Sequence, residues 1–306
     1  MIAEAKRAQS LSQETEASIL SKIQLDRILL YVVVALGSFI FMFPFMWAFI
    51  SSGKTVSEIN IFPPTLWPKH PQFVKNYTQI FIEAPFLLWI KNSLVVTALN
   101  LSGTVISASI VAYSFARFKY PGRDILFFIM LSTMMIPSEV QLIPTYLIFH
   151  KLGWVNTIKP LWVPAWLGGG AFNIFLLRQF YMGIPLDLDE SAEIDGAGPL
   201  RIFLTIILPL SKPVLGTVAA LSFIGNWNNF MGPLIYLNDP EKLTVAVGLR
   251  VFSQGVTSSG MQAGLAPPQY NLVMAASIVV AAPCLILFFV AQRYFVQGIV
   301  TTGIKG

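Results

Sequence analysis

Six long runs of apolar residues dominate the pattern along the chain. They cover residues 28–50, 93–116, 125–149, 161–181, 213–235 and 271–295. Because about 20 helical residues span a bilayer, each run is long enough to cross one as a helix. Most of the charged residues lie between the runs. The pattern predicts an all-α integral membrane protein with six transmembrane helices.

An acidic insert separates the fourth and fifth runs. We interpret this insert, residues 190–209 with Asp187 at the cap position before it, as two short helices joined by a sharp bend, and we call residues 187–209 the elbow. Asp187 is placed to cap the first helix, with Glu190 three residues later in an arrangement like a capping box. Acidic residues in the first turn also favour the positive end of a helix.

The second half of the elbow is apolar. A Gly-Ala-Gly stretch at residues 196–198 ends the first helix, and Pro199 suits the first position of the second. The following apolar residues recur at helical spacing: Leu200, Phe203, Leu204 and Ile207. This spacing predicts one apolar face, which packs either on neighbouring spans or in the groove of a partner.

Composition excludes several classes of protein. Of 306 residues, 55% are apolar and 11% are charged, against roughly 25% charged in soluble domains. The net charge of +5 is spread singly along the chain rather than gathered in a stripe for nucleic acid. One cysteine, Cys284, and two distant histidines, His70 and His150, provide no metal or nucleophilic site. The chain also lacks the glycine-rich loop that binds ATP phosphates.

Lysine and arginine predict the orientation. With the amino terminus inside, twelve of the 20 basic residues lie on the inner side. The short loop at residues 117–123 carries three of them, Arg117, Lys119 and Arg123. Both termini and the elbow are then expected in the cytoplasm.

Polar residues inside apolar runs are costly and need a role. Glu139, in the third run between two prolines, faces either a water-filled cavity at a broken helix or an interface. A cluster of amide and indole side chains lies in the fifth run: Asn226, Trp227, Asn228 and Asn229. Such groups suit sugar hydroxyls and sugar faces, but they equally suit hydrogen bonds between helices. We therefore take these five residues as candidates for a translocation pathway.

Two other segments have plainer interpretations. The loop at residues 51–86 is rich in proline, and we expect it to lack regular structure. Gly168, Gly169, Gly170 and Gly225 are expected to permit close approach of helices.

The elbow carries a motif that resembles a known family. Residues 190–196 read ESAEIDG, and after nine further residues, positions 206–209 read IILP. This string is similar to the cytoplasmic loop motif of membrane subunits in binding-protein-dependent ABC importers, with Ser191 in place of the first of two alanines. Further segments resemble the sugar-class permeases of the maltose-transporter type: residues 92–94, 112–118, 143–149, 175–180, 227–230 and 292–298.

The resemblance implies a type I ABC importer permease fold, with the elbow as the coupling helix that meets an ATPase. The residues that match the coupling motif are Glu190, Ser191, Ala192, Asp195, Gly196, Ile206, Leu208 and Pro209. The implied partners are a second permease subunit, expected to form a heterodimer with this one, two ATPase subunits that hold ATP and Mg, and a periplasmic solute-binding protein. The implied solute is a sugar or oligosaccharide, neutral or acidic, and the implied location is the bacterial inner membrane. This chain would bind no cofactor itself.

The expected layout follows from the spans and the resemblance. It comprises a cytoplasmic tail (1–27), the first span with a long periplasmic loop (28–92), the permease core (93–296) with its coupling loop (182–212), and a second cytoplasmic tail (297–306). In relatives the last tail reaches the ATPase, so Lys305 is a candidate contact. The alternative function is a secondary transporter or channel that works without an ATPase. A secondary transporter would need more ionisable residues within the spans than Glu139.

Overall fold

The computed structural model describes residues 2–262 and 267–303, with side chains at 27–257, 267–290 and 292. Lys305 lies outside the described residues. The α-helices are α1 (Ile2–Ser52), α2 (Val56–Ile59), α3 (Phe73–Glu83), α4 (Phe86–Arg117), α5 (Arg123–Ser132), α6 (Ser138–Lys151), α7 (Lys159–Trp162), α8 (Ala171–Met182), α9 (Asp187–Ile194), α10 (Pro199–Ile202), α11 (Leu208–Leu210), α12 (Lys212–Trp227), α13 (Met231–Tyr236), α14 (Val245–Gln262) and α15 (Tyr270–Gly303). Within these ranges the chain forms no strand.

Four segments are long and apolar enough to cross a membrane in one piece: Arg27–Ser52, Phe86–Arg117, Lys159–Met182 and Tyr270–Val290. Two further pairs of helices qualify when each is taken as one bent span. They are Arg123–Met135 with Ser138–Lys151, bent by 101°, and Pro199–Leu210 with Lys212–Trp227, bent by 77°. The segments correspond to the six predicted runs, and the all-helical membrane fold is confirmed.

The third span is not the single helix that its apolar run suggests. Ile136 adopts an extended backbone conformation before Pro137, as the residue preceding a proline tends to do, and this ends the helical path. A new helix, α6, starts at Ser138. Pro144 lies inside α6 without ending it. A proline therefore marks the break, but not every proline in the run causes one.

Helix α4 is central, and two hydrophobic clusters form along it. One contains Ala108, Tyr113, Leu177 and Ile207 and lies beside the elbow, so we call this side the elbow end. The other contains Trp89, Trp227 and Tyr236 and lies at what we call the far end. Gly169 packs on α4 so closely that an added Cβ would lie 2.6 Å from the carbonyl oxygen of Thr104. The expected close approach is therefore present at Gly169, but it is absent at Gly225, where no atom lies within 4 Å of such a Cβ.

The bent third span crosses the bundle. Helix α5 begins at Arg123, shortly after α4 ends at Arg117 at the elbow end. At the other extremity of the pair, the ring of Phe149 in α6 lies 5.4 Å from the ring of Tyr236 in the far-end cluster. Two helices at a steep angle thus join opposite ends of the molecule.

The proline-rich loop is ordered, which corrects the expectation of irregular structure at residues 51–86. It contains α2 and α3, and several of its buried polar groups form hydrogen bonds within the loop. The buried Lys54 Nζ donates to the carbonyl oxygen of Thr65 at 2.6 Å. Glu58 Oε1 accepts from the backbone N–H of Lys69 at 2.8 Å. Hydrogen bonds of this kind allow the proline-rich segment to fold and to cover the far end of the bundle.

The fifth span is also shorter than its run. Helix α12 ends at Trp227, and α13 follows after a break, so residues 213–235 do not form one helix. The Asn226–Asn229 cluster is the C-terminal end of α12 together with this break.

Candidate functional site

The elbow has the bent shape expected from its sequence, with a different cap at its start. Helix α9 begins at Asp187, so the N-cap residue is Leu186, which makes no side-chain cap hydrogen bond. The predicted capping role of Asp187 is therefore wrong, because the helix starts one residue earlier than that role requires. Asp187, Asp189 and Glu190 still occupy the first turn, where the helix dipole favours negative charge.

A glycine closes helix α9. Gly196 has φ of +80°, a left-handed conformation that glycine adopts without a steric penalty. Its backbone N–H donates to the carbonyl oxygen of Glu193 at 2.9 Å, and that of Ala197 donates to Ala192 at 2.9 Å. This pair of bonds is a Schellman motif, which satisfies carbonyl groups at the helix end. These hydrogen bonds therefore hold the bend in one conformation.

The second arm of the elbow departs from the predicted single apolar face. Phe203 and Ile207 are buried in the elbow-end cluster, whereas Leu200 and Leu204 are exposed. Residues Phe203–Ile207 form a π-helical turn, which rotates side chains away from the α-helical spacing. Leu200 and Leu204 line an apolar groove against α4 instead.

A buried ion pair ties the elbow to α4. Arg117 Nε, at the last residue of α4, lies 2.9 Å from Asp189 Oδ2 in the first turn of α9, and their side chains are 4% and 12% exposed. Arg117 also donates from a terminal nitrogen to the carbonyl oxygen of Ile184 at 3.0 Å. Burial raises the pKa of Asp189, and the Arg117 guanidinium opposes that rise. The charged form of Asp189 therefore depends on its partner.

The ion pair lies close in space but is imperfectly aligned. Arg117 Nε and Asp189 Oδ1 both lack a hydrogen bond of good geometry. The 2.9 Å contact is thus mainly electrostatic, and the hydrogen bond to Ile184 is the better-directed one. A second link comes from Tyr113 of α4, whose hydroxyl donates to the carbonyl oxygen of Pro199 at 3.2 Å. Both arms of the elbow are therefore attached to one span.

The residues of the predicted coupling motif divide between surface and support. Exposed positions are Glu190, Ser191, Asp195, Gly196 and Pro209, whereas Ala192, Ile206 and Leu208 are partly buried. The elbow also exposes apolar groups, above all Ile194, which is 87% exposed. The motif thus has one set of residues that packs on the bundle and another set that is open to contact.

The candidate pathway residues are not gathered in one site. Glu139 is exposed in the first turn of α6, where its carboxylate accepts from the Ser138 hydroxyl at 2.9 Å. It lies at the break in the third span, and its predicted place in a water-filled cavity stays a prediction. Trp227 is only 1% exposed, and its indole N–H donates to the carbonyl oxygen of Val280 at 3.0 Å.

The asparagines of the cluster differ in their surroundings. Asn226 donates to Asn100 of α4 at 2.9 Å, an interhelical bond. Asn229 Oδ1 accepts from the backbone N–H of Gly232, in the first turn of α13, at 3.2 Å. Asn226 and Trp227 therefore serve packing, whereas Asn228 is exposed and Asn229 is half-buried, and a role for these two in a translocation pathway stays a prediction.

Comparison with known proteins identifies the family. Residues 105–301 match the family described as binding-protein-dependent transport system inner membrane component. The chain belongs to this family. The sn-glycerol-3-phosphate transport system permease protein UgpE of Yersinia enterocolitica is 33% identical over 276 residues, 88% of this chain and 94% of the relative. UgpE of Brucella abortus is 32% identical over 281 residues, 89% and 95% of the two chains.

A solved structure shares the fold of this permease. It is a chain of a bacterial ABC transporter involved in import of the acidic polysaccharide alginate, with a TM-score of 0.75 and 23% identity over 89% of this chain and 97% of that one. The protein is therefore a permease subunit of a binding-protein-dependent ABC transport system in the inner membrane, and the predicted family and fold are confirmed. Its role is transport rather than catalysis.

Sequence reasoning missed the residues that hold the permease elbow in place. In the sequence, Arg117 indicates only the orientation of the chain, and Asp189 is one of several acidic residues at a helix start. Their contact joins residues 72 positions apart, and no local pattern encodes it. The sequence offers only a weak signal: an arginine at the very end of a span, followed by an acidic helix start after two further spans.

Proposed function

We propose that this permease is one of two membrane subunits of an ATP-driven importer, which takes up a sugar or oligosaccharide, neutral or acidic, delivered by a periplasmic binding protein. Two ATPase subunits on the cytoplasmic side would bind ATP and Mg. The elbow would receive their closing motion and transmit it to the bundle, which alternates between inward-facing and outward-facing states. Both termini would lie in the cytoplasm, and Lys305 would reach the ATPase.

The exposed apolar tip of the elbow carries this proposal. Ile194, the last residue of the acidic helix α9, is 87% exposed, and Leu188 and Leu200 of the elbow are 41% and 69% exposed. Several exposed apolar side chains on one rigid loop indicate a protein contact surface, whereas a single one would not. The loop is rigid because the Schellman motif fixes its bend and the Arg117–Asp189 pair attaches its base.

Because the elbow is attached to α4, a movement of the elbow can be transmitted to the rest of the molecule. α4 packs against α8 and α12, and at the far end Trp89 Nε1 donates to the carbonyl oxygen of Pro240 at 2.9 Å. A displacement of the elbow would thus move a helix that runs the full depth of the bundle. This mechanical continuity favours the coupled importer over a channel or secondary transporter that works without an ATPase.

The relatives support the class of solute. The UgpE proteins are named for sn-glycerol-3-phosphate transport, and the structural relative imports an acidic polysaccharide. A second structure with a chain of this fold is a bacterial alginate ABC transporter in complex with a periplasmic protein that holds an alginate pentasaccharide. A small polyhydroxylated solute with its own binding protein is therefore the expected cargo here.

Ile194→Glu tests the docking surface. A buried charge without a partner is strongly unfavourable, so we expect the ATPase to co-purify with the variant about tenfold less well or worse, and solute-stimulated ATP hydrolysis to be lost. Val74→Glu is the control, because Val74 is 84% exposed on α3 at the far end. Normal ATPase retention by Ile194→Glu, or an equal loss in Val74→Glu, would contradict the proposal.

A further inference from the structure

A cation lines a small cavity at the far end of the permease. This cavity is a widely open depression with a volume of about 380 Å³, and it lies between the start of α13, helix α14 and helix α15. Its lining includes Phe230, Leu249, Arg250, Ser253, Val273 and Ser277. Apolar side chains thus surround one guanidinium and two hydroxyl groups. A concave site with few polar groups that converge is typical of small-molecule binding.

Arg250 is available to a ligand. Its side chain is exposed, and the guanidinium carbon lies 5.7 Å from the centre of the Phe230 ring, which supports the planar group from one side. Across the described part of the chain, the ion pairs involve Arg117, Arg123 and Lys242, and no carboxylate lies within 4.0 Å of Arg250. The charge in this cavity therefore has no counter-ion of its own among the residues described.

The hydroxyl groups suit a polyol. Ser277 Oγ donates to the carbonyl oxygen of Val273 at 2.8 Å, so its lone pairs remain to accept from a ligand hydroxyl. Ser253 presents a second hydroxyl one turn along α14 from Arg250. A guanidinium beside two hydroxyls matches a ligand that carries both an anionic group and sugar-like hydroxyls.

The position of the cavity also fits an entry site. Phe230 directly follows the Asn226–Asn229 cluster at the end of α12. α12 has 16 residues, so this point lies about 24 Å from the elbow end at 1.5 Å per residue. If the elbow is cytoplasmic, as proposed above, the cavity opens on the side where the binding protein delivers its load.

We infer that this cavity is a solute contact and that Arg250 selects an anionic solute, one with a phosphate or carboxylate group on a sugar or polyol. The inference rests on the proposed function and narrows its solute. An anion that leaves water for a membrane protein needs a fixed positive partner. Arg250 supplies that partner, Phe230 and Leu249 contact the carbon skeleton, and the serines bond the hydroxyls.

The direct test is transport by the reconstituted complex with its binding protein. The probes are sn-glycerol 3-phosphate and trigalacturonate, which are anionic, and maltotriose, which is neutral. We expect an anionic probe to be transported, and Arg250→Ala to lower its uptake rate at saturating loaded binding protein about tenfold or more. Arg250→Lys should retain more activity than Arg250→Ala because it keeps the charge.

Lys242→Ala is the matched control. Lys242 is a cation at the same end of the bundle, but it lies 3.4 Å from Asp239 and is already paired. It should transport like the wild type. Wild-type uptake of Arg250→Ala, or ATP-driven transport of maltotriose alone, would overturn the inference while leaving the proposed importer intact. Transport without any need for ATP would instead refute the proposed function.

A second measurement does not depend on knowing the solute. In a Cys284→Ala background, which has no other cysteine, Ser253→Cys places a thiol in the cavity. Anionic and cationic methanethiosulfonates then report the local potential through the ratio of their reaction rates. We expect Arg250→Ala to lower the anionic-to-cationic ratio about fivefold or more, and Lys242→Ala to leave it unchanged. A ratio that does not respond to Arg250 would overturn the inference.

Discussion

The conformation of a single glycine shapes the elbow. Gly196 has φ of +80°, where a residue with a Cβ is disfavoured by about 1–2 kcal/mol. An added Cβ would meet no atom within 4 Å. Glycine is therefore needed here because of the backbone conformation and not because of neighbouring atoms. For Gly196→Ala we expect the equilibrium constant for the correctly bent elbow to fall about five- to thirtyfold. Solute-stimulated ATP hydrolysis should fall by up to about that factor, while membrane insertion, measured by yield, is unchanged.

Gly198→Ala is the matched control for Gly196→Ala. Gly198 lies two residues away, has φ of −76°, and has the same empty surroundings. Alanine accepts that backbone conformation, so coupled hydrolysis should remain at the wild-type rate. Equal losses in the two variants would show that the elbow needs small side chains rather than a left-handed bend.

Single residues also show where sequence reasoning ends. The glycine at the bend follows from its position after an acidic helix start, and Pro199 begins the second helix as expected. Trp227 is different, because an indole at the end of a span can face a solute or close the core. Its ring lies parallel to that of Phe223, with centres 5.8 Å apart. The tertiary arrangement, and not the sequence, shows that this indole closes the core.

At the scale of elements, the bond between α4 and α9 is the feature to test. Removing one member of a buried ion pair leaves a charge without a partner and costs about 3–5 kcal/mol, whereas replacing both by apolar residues costs far less. Arg117→Met and Asp189→Leu should each lower the melting temperature of the complex and its solute-stimulated ATP hydrolysis. The double variant should recover much of the stability, and coupling only in part, because the link between the helices is gone.

The pair formed by Arg123 and Asp124 provides the control cycle. These side chains are 2.9 Å apart but far more exposed, at 26% and 75%. Exposed pairs contribute little, so the same replacements should be additive. Additive effects at Arg117 and Asp189 as well would show that their proximity carries no coupling.

Hydropathy predicted the number and positions of the membrane-spanning segments, but not their internal breaks. All six apolar runs correspond to spans, but length alone did not reveal the 101° bend of the third. Pro137 breaks that span and Pro144 does not, although both interrupt the same run. The ordered loop at the far end was missed because its stability comes from hydrogen bonds such as Lys54 to Thr65, between residues that carry no periodic signal.

At the scale of the whole molecule, the ion pair constrains the topology. Arg117 ends α4 and Asp189 follows α8, yet the two side chains meet. The chain therefore returns to the elbow end after the α5–α6 pair and the Lys159–Met182 segment. If that segment crosses the membrane once, the bent pair must cross once too. A re-entrant pair would place the end of α8 on the wrong side for this contact.

This topology predicts opposite sides for two exposed positions. Lys75 lies on α3 between the first and second spans, and Glu190 lies on the elbow. In the Cys284→Ala background, Lys75→Cys should react with a membrane-impermeant maleimide in right-side-out vesicles, and Glu190→Cys only in inside-out vesicles. Detergent-solubilised complex, in which both thiols should react, controls for access. Labelling of both from one side would mean that the bent pair does not cross, and labelling of Glu190→Cys from outside would place the elbow beyond the reach of any cytoplasmic ATPase.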